Sequence, residues 1–245
     1  MILNIRSMDD LPKMERWLMM EHFTESIMHI GPALARYISY RVVPPPPQMY
    51  ADVEKYGYYN WRVTEHWFPY GRQPFSSTLN ARWTCKSVPD YEDIVGPMAG
   101  GMVPLVHAQD FKGEELTLDD PPMLRWYIAM KYPEGVSVEE GEDWYLNVHS
   151  KEVLQQPGLT RYFTSPTLEM PEGQRIWHRL VEQWYDGFNS WRKAVIESPP
   201  EYTRPPWAKY NEYPFLEPYV DFASTFILEK PTNDNLRDSL AYIPA

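Results

Sequence analysis

Six histidines, at positions 22, 29, 66, 107, 149 and 178, are the side chains of this 245-residue sequence best suited to moving a proton near neutral pH. Imidazole alone has an unperturbed pKa in that range. His22, Ser26 and His29 are spaced i, i+4, i+7 and therefore share one face of a helix. His149 stands in "HSKEVLQQPGLTRYF", eight residues ahead of Pro157-Gly158, and a looser copy, "HFTESIMHIGPALARYI", runs from His22 to Ile38. A histidine beside a tyrosine in a cavity suits taking a proton from a phenolic molecule or returning one to it. Metal chemistry is not expected. The His-x6-His pair offers two nitrogens, with Glu21 and Glu25 close by but no carboxylate at ligand spacing, whereas a zinc or iron site needs three or more converging ligands. The single cysteine, Cys85, excludes an internal disulfide and has no visible base partner. No Lys-Ser/Thr follows the glycines of "GPMAGGM", and no G-x-S-x-G elbow is present, so nucleotide cofactors and serine hydrolysis are disfavoured. The expectation is no cofactor and no metal.

Net charge of −11, from 23 basic and 34 acidic residues, argues against nucleic acid or an anionic membrane as partner. No run approaches the roughly 20 apolar residues needed to span a bilayer. "MILNIRSM" lacks the features of a signal peptide, so a cytoplasmic location is expected. Twenty-five prolines cluster among aromatics, as in "PPPP" (44–47) and "SPPEYTRPPW" (198–207). Such stretches read as ordered loops wrapping the fold or a second subunit, so a homodimer is compatible with them.

The elements that must position these residues follow from periodicity. Residues 2–8 read as a strand, 11–30 as a helix ended by Gly31-Pro32, and 34–43 and 61–68 as strands. A short helix is expected near 89–95 and a fourth strand over 100–111. The second half repeats this order: strand 123–133, helix 138–156, strands 159–168 and 176–185, helix 187–197 and strand 219–230. "LARYIS" (34–39) lies over "LTRYFT" (159–164), and "TEHWFPYG" (64–71) over "VEQWYDGF" (181–188). Two matches in the same order predict an α+β chain of tandem ferredoxin-like β-α-β-β-α-β repeats, over 1–115 and 120–235, with a tail at 236–245.

His149, Pro157-Gly158-Leu159, Arg161-Tyr162 and Glu182-Gln183-Trp184-Tyr185-Asp186 resemble the EthD-like branch of the dimeric α+β barrel superfamily. The first half carries Arg36-Tyr37 and Glu65-His66-Trp67-Phe68, with His22 two residues farther from its strand and Gly-Pro in place of Pro-Gly. The resemblance implies two four-stranded sheets closing into a barrel with the helices outside. It leaves the chemistry open, because members include cyclases, monooxygenases, isomerases, decarboxylases and haem enzymes. If Leu34, Ile38 and Val42 face the helices, then Tyr37, Ser39 and Arg41 face the barrel, as Tyr162 and Thr164 do by the repeat. Arg125 and Tyr127 present polar faces on the fifth strand, and His107 lies on the fourth. The facing of Glu65 with Trp67, and of Glu182 with Trp184, is left open.

The expected function is a cofactor-independent lyase or isomerase-type enzyme acting on an aromatic, phenolic or polyketide-like small molecule, by decarboxylation, dehydration or a related proton transfer. His149 or the His22/His29 pair would be the acid–base, with the first copy favoured, and Tyr37 or Tyr162 would bind the phenol. Arg125 or Arg41 would hold a carboxylate, and Glu65, Trp67, His107, Tyr127 and Trp184 would line the pocket. A cofactor-free oxygenase of the same fold and a non-catalytic aromatic-binding protein are the alternatives.

Overall fold

The computed structural model describes residues 1–30, 34–68, 94–101, 103, 109–113, 122–169 and 177–236. The strands are β1 (Ile2–Leu3), β2 (Arg36–Arg41), β3 (Arg62–Trp67), β4 (Gln109–Lys112), β5 (Leu124–Met130), β6 (Arg161–Pro166), β7 (Arg179–Tyr185), β8 (Phe222–Leu228) and β9 (Asn233–Asp234). The helices are α1 (11–30), α2 (Tyr50–Glu54), α3 (138–153) and α4 (188–197). This is a mixed α+β fold with two antiparallel sheets, ordered β1-β3-β2-β9 and β4-β6-β7-β5-β8.

Within the second sheet, β6-β7-β5-β8 has the strand order of a ferredoxin-like unit, in which the strand before the first helix lies between the last two strands. The first sheet repeats the part β2-β3-β1. Beyond β1, residues 95 and 99 bridge Ile5 and Ile2, so this short stretch takes the position expected of the fourth strand. The strand expected over 100–111 is corrected accordingly: its end, β4, leaves its own half and pairs with β6 in the other sheet. In the same way β9, from the end of the second half, pairs with β2 in the first sheet. Each half thus extends the edge of the other's sheet, covering backbone groups that an open edge would expose.

The register is the same in both halves. Tyr37 opposes His66 and Arg36 opposes Trp67 on β2/β3, as Tyr162 opposes Gln183 and Arg161 opposes Trp184 on β6/β7. One buried polar network also occurs twice. Arg62 donates from Nε and Nη2 to Glu15 at 2.6 Å each, and from Nη1 to Ser39 (3.1 Å) and Asn233 (3.4 Å). Arg179 donates to Glu142 at 2.9 Å from the same two nitrogens, and to Thr164 and Gln109 at 3.0 Å. Both arginines are fully buried, and a buried guanidinium is tolerable only when every N–H group finds an acceptor. Each network ties a helix, two strands and the visiting strand together. Burial pushes the Glu15 carboxyl up, but the hydrogen bonds and charge of Arg62 more than offset it, leaving its pKa below the usual value.

The core has three layers. Ile38, Tyr40 and Val63 of the first sheet meet Tyr127, Ala129, Leu180 and Ile227 of the second, so the sheets pack face to face. Helix α1 covers the outer face of the first sheet through Met14, Trp17, Leu18 and Phe23. Helices α3 and α4 cover the second through Trp144, Tyr145, Val153, Trp191 and Val195. Among the described residues no helix is long and apolar enough to cross a membrane.

Candidate active site

Helices α1 and α3 each carry one π-turn, at Leu18–His22 and Tyr145–His149, closed by Phe23 N–H bonding Leu18 C=O and Ser150 N–H bonding Tyr145 C=O. A π-turn holds one extra residue and places side chains five apart over one another, which an α-helix does not. Trp17 consequently lies 4.6 Å from His22 and Trp144 lies 4.7 Å from His149, centroid to centroid. Both tryptophans present a ring face that fixes the orientation of the imidazole.

In the first half, the half-buried His22 has its Nε2 3.4 Å from the buried Ser26 Oγ. Beneath them, Tyr37 of β2 and His66 of β3 meet edge to face at 4.2 Å, with Phe23 against Tyr37 at 4.9 Å. Burial lowers the His66 pKa from 6.5 to about 3, and the positive charges of the Met1 amino group and His22 add to the effect. His66 is therefore a neutral imidazole, and its shielded Nε2 has no hydrogen-bond partner among the described residues. The cluster brings together a half-buried imidazole, one neutral imidazole able to donate or accept a hydrogen bond, a phenol and a hydroxyl.

The equivalent place in the second half is filled. His149 is enclosed by Trp144, Tyr145 (5.3 Å), Tyr202 (6.0 Å) and Tyr213 (5.6 Å), the last two from the proline-rich loop. Tyr202 and Tyr213 stack at 4.1 Å. Tyr145 and Tyr162 share a 2.7 Å hydrogen bond, and Gln183 stands where the first half has His66 and accepts from Tyr185 at 2.8 Å. Burial lowers the His149 pKa from 6.5 to about 3. A ring stack seals this imidazole from solvent.

Between the sheets, Arg125 donates from Nε and Nη2 to Glu182 Oε2 at 2.7 Å and lies over Tyr40 (5.0 Å), Trp184 (5.2 Å) and Tyr127 (6.0 Å). Trp184 donates to Glu182 at 3.0 Å, and Trp67 donates to Glu65 at 3.1 Å. Burial and Glu65 raise the pKa of Glu182 against the pull of Arg125.

The expected facing of β2 and β6 is reversed. Tyr37, Ser39 and Arg41, with Tyr162 and Thr164, lie on the helix side, while Ile38 and Tyr40 face the other sheet. On these two strands the polar side chains serve the networks beneath the helices while Ile38 and Tyr40 fill the space between the sheets, which inverts the usual reading of polarity. Arg41 is an exposed partner of Glu15 at 3.1 Å. Glu65, Trp67, Arg125, Tyr127 and Trp184 all face the opposing sheet, with Glu182 in their midst. His29 lies on α1 with its side chain outside the described residues, and His107 lies outside them altogether. His178 Nδ1 accepts from Tyr132 N–H at 2.8 Å, a structural contact. His66 counts among the four histidines of the first half but had no role assigned from sequence, since only the β2/β3 register brings it to Tyr37.

Residues 1–95 match the family model described as chalcone isomerase N-terminal domain. No curated protein matches the chain. Among solved structures, the chain is similar to an ethyl tert-butyl ether D (EthD) family protein from Bacillus halodurans C-125, at 22% identity over 30% of this chain and 72% of that one, with a TM-score of 0.27. A likeness that slight carries no fold argument; the fold rests on strand order and register. The span that matches the chalcone isomerase domain holds His22, Ser26, Tyr37 and His66, all four members of the first cluster.

Proposed function

We propose that this chain is an isomerase- or lyase-type enzyme that transfers a proton within a phenolic or related aromatic small molecule, and that it does so in the first half under α1. The observation that carries this reading is the juxtaposition of a half-buried His22 with Ser26, Tyr37 and a neutral His66. The match of residues 1–95 to the chalcone isomerase N-terminal domain supports an enzymatic role and an isomerase at least as much as a lyase. In this reading His22 is the general acid–base: it takes a proton from one atom of the substrate and returns it to another, so an isomerisation consumes no co-reactant. His66, kept neutral by burial, cannot store the proton at physiological pH and serves with Tyr37 to hydrogen-bond the oxygen where charge develops. Trp17 orients His22.

The repeated strand order, register and Glu–Arg network further support a tandem duplication with halves at 1–115 and 120–235. The second copy keeps the Trp–His π-turn but fills its pocket with Tyr202 and Tyr213, which assigns it a structural role. Arg125 is buried and already paired with Glu182, which makes it a structural ion pair in this reading rather than the holder of a substrate carboxylate.

The test is a screen of phenolic enones and hydroxycinnamic acids, followed by loss of conjugated absorbance, with His22→Gln and His149→Gln beside the parent protein. His22→Gln is expected to lower turnover by about 10²–10⁴-fold, with the fold preserved by circular dichroism. His149→Gln is expected to leave turnover within about twofold once the folded fraction is matched. Equal losses in the two variants would refute the assignment to the first half. Binding without turnover across the screen would make the protein a carrier.

A further inference from the structure

A cleft of about 270 Å³ opens at the seam between the halves, and none of the four His22-cluster residues lines it. Its walls come from the stretch after β1 (Asn4, Arg6), from α2 (Tyr50, Glu54), from Tyr58, and from Tyr219 just before β8. The seam itself is fixed: Tyr59 N–H bonds Ser224 C=O at 2.7 Å and Ser224 N–H bonds Gly57 C=O at 2.9 Å. Tyr58 is buried and meets Tyr50 edge to face at 6.3 Å, so two phenol rings form one wall. Tyr219 stacks on Tyr59 at 6.1 Å and donates its hydroxyl to Glu54. It does so from a left-handed backbone (φ 66°), a conformation costly for a residue with a side chain and concentrated at functional sites.

The charges decide what fits. Arg6 is exposed and, unlike Arg62 and Arg179, pairs with no carboxylate among the described residues. Glu54 lines the same cleft and its carboxylate, among the described residues, accepts the Tyr219 hydroxyl alone. One cation, one anion, two asparagines (Asn4 and Asn60) and tyrosine rings make an electroneutral lining. A plain anion would meet Glu54 and the field of a chain with net charge −11, and a plain cation would meet Arg6. A zwitterion meets neither penalty: its carboxylate pairs with Arg6, its ammonium with Glu54 and the tyrosine faces. The volume corresponds to about nine waters of liquid, which suits a molecule of roughly a dozen heavy atoms, and the ring wall favours an aromatic side chain. We propose that the Arg6–Glu54 cleft is a binding site for a free aromatic α-amino acid, separate from the His22 cluster.

The experiment is calorimetric titration of the full chain with L-phenylalanine, 3-phenylpropionate and phenethylamine. Saturable sub-millimolar binding of phenylalanine is expected, with each single-charge analogue at least about tenfold weaker. Arg6→Gln and Glu54→Gln, both at exposed positions, should each weaken phenylalanine at least about tenfold while melting curves stay near that of the parent. His22→Gln should leave the affinity unchanged, which separates this site from the catalytic reading. Absence of saturable binding to the parent, affinity indifferent to both cleft variants, or an analogue binding as tightly as phenylalanine would overturn the proposal.

Discussion

Replacing His149 by phenylalanine should remove a defined part of the acid sensitivity of folding. The native imidazole titrates near 3 because it is buried in a ring stack, whereas in the unfolded chain it titrates near its ordinary 6.5. Below pH 6.5 the unfolded chain therefore takes up a proton that the native state refuses, and stability falls as pH drops from about 6.5 towards 3. Between pH 7 and pH 5 this one group withdraws about 2 kcal/mol, the integral of that difference in proton binding. Phenylalanine preserves the stack against Trp144 and Tyr213 and cannot titrate. Urea unfolding of parent and variant at pH 5, 6, 7 and 8 gives the check. The difference in unfolding free energy, parent minus variant, should become more negative by about 2 kcal/mol from pH 7 to pH 5. Parallel curves would mean that His149 is charged or solvated in the native state, and the sealed second pocket would be refuted.

The catalytic test of His22 against His149 and the phenylalanine titration stand as described above. Glu142→Gln should destabilise the fold by about 3–5 kcal/mol by leaving the fully buried Arg179 uncompensated, read by denaturant unfolding; a loss within about 0.5 kcal/mol would show the network to be solvated. Gly57→Ala should lower the melting temperature, since its added carbon would stand 2.2 Å from the Phe222 carbonyl oxygen, in a left-handed backbone worth about 1–2 kcal/mol; an unchanged melting temperature would show the seam to be loose.

Element order was largely legible in the sequence because prolines and glycines separate the strands and helices, and one helix carries a capping residue. Ser137 caps α3 through Glu140 N–H at 3.1 Å. Strand facing was not legible, because these sheets are covered on both sides. Ile38 and Tyr40 fill the layer between sheets, while Ser39 beneath α1 serves the buried Arg62, so hydrophobicity does not mark the inner face. The swapped strands β4 and β9 have no local signal, since their pairing is set by partners in the other half. The shared Trp-x4-His spacing of Trp17–His22 and Trp144–His149 was present in the sequence. It acquires meaning only once a π-turn is known, because five residues of regular α-helix point the two rings apart.

The pairing of β9 with β2 also sets an order of assembly on the ribosome. Arg62 waits for Asn233, 171 residues later, before its acceptor set is complete. At roughly 5–20 residues per second that wait lasts about 9–34 s, during which the edge of β2 stands open to other nascent chains. The half made first is the half finished last, so a stop codon or protease cut just short of residue 233 would strike the proposed catalytic half rather than the one nearest the break.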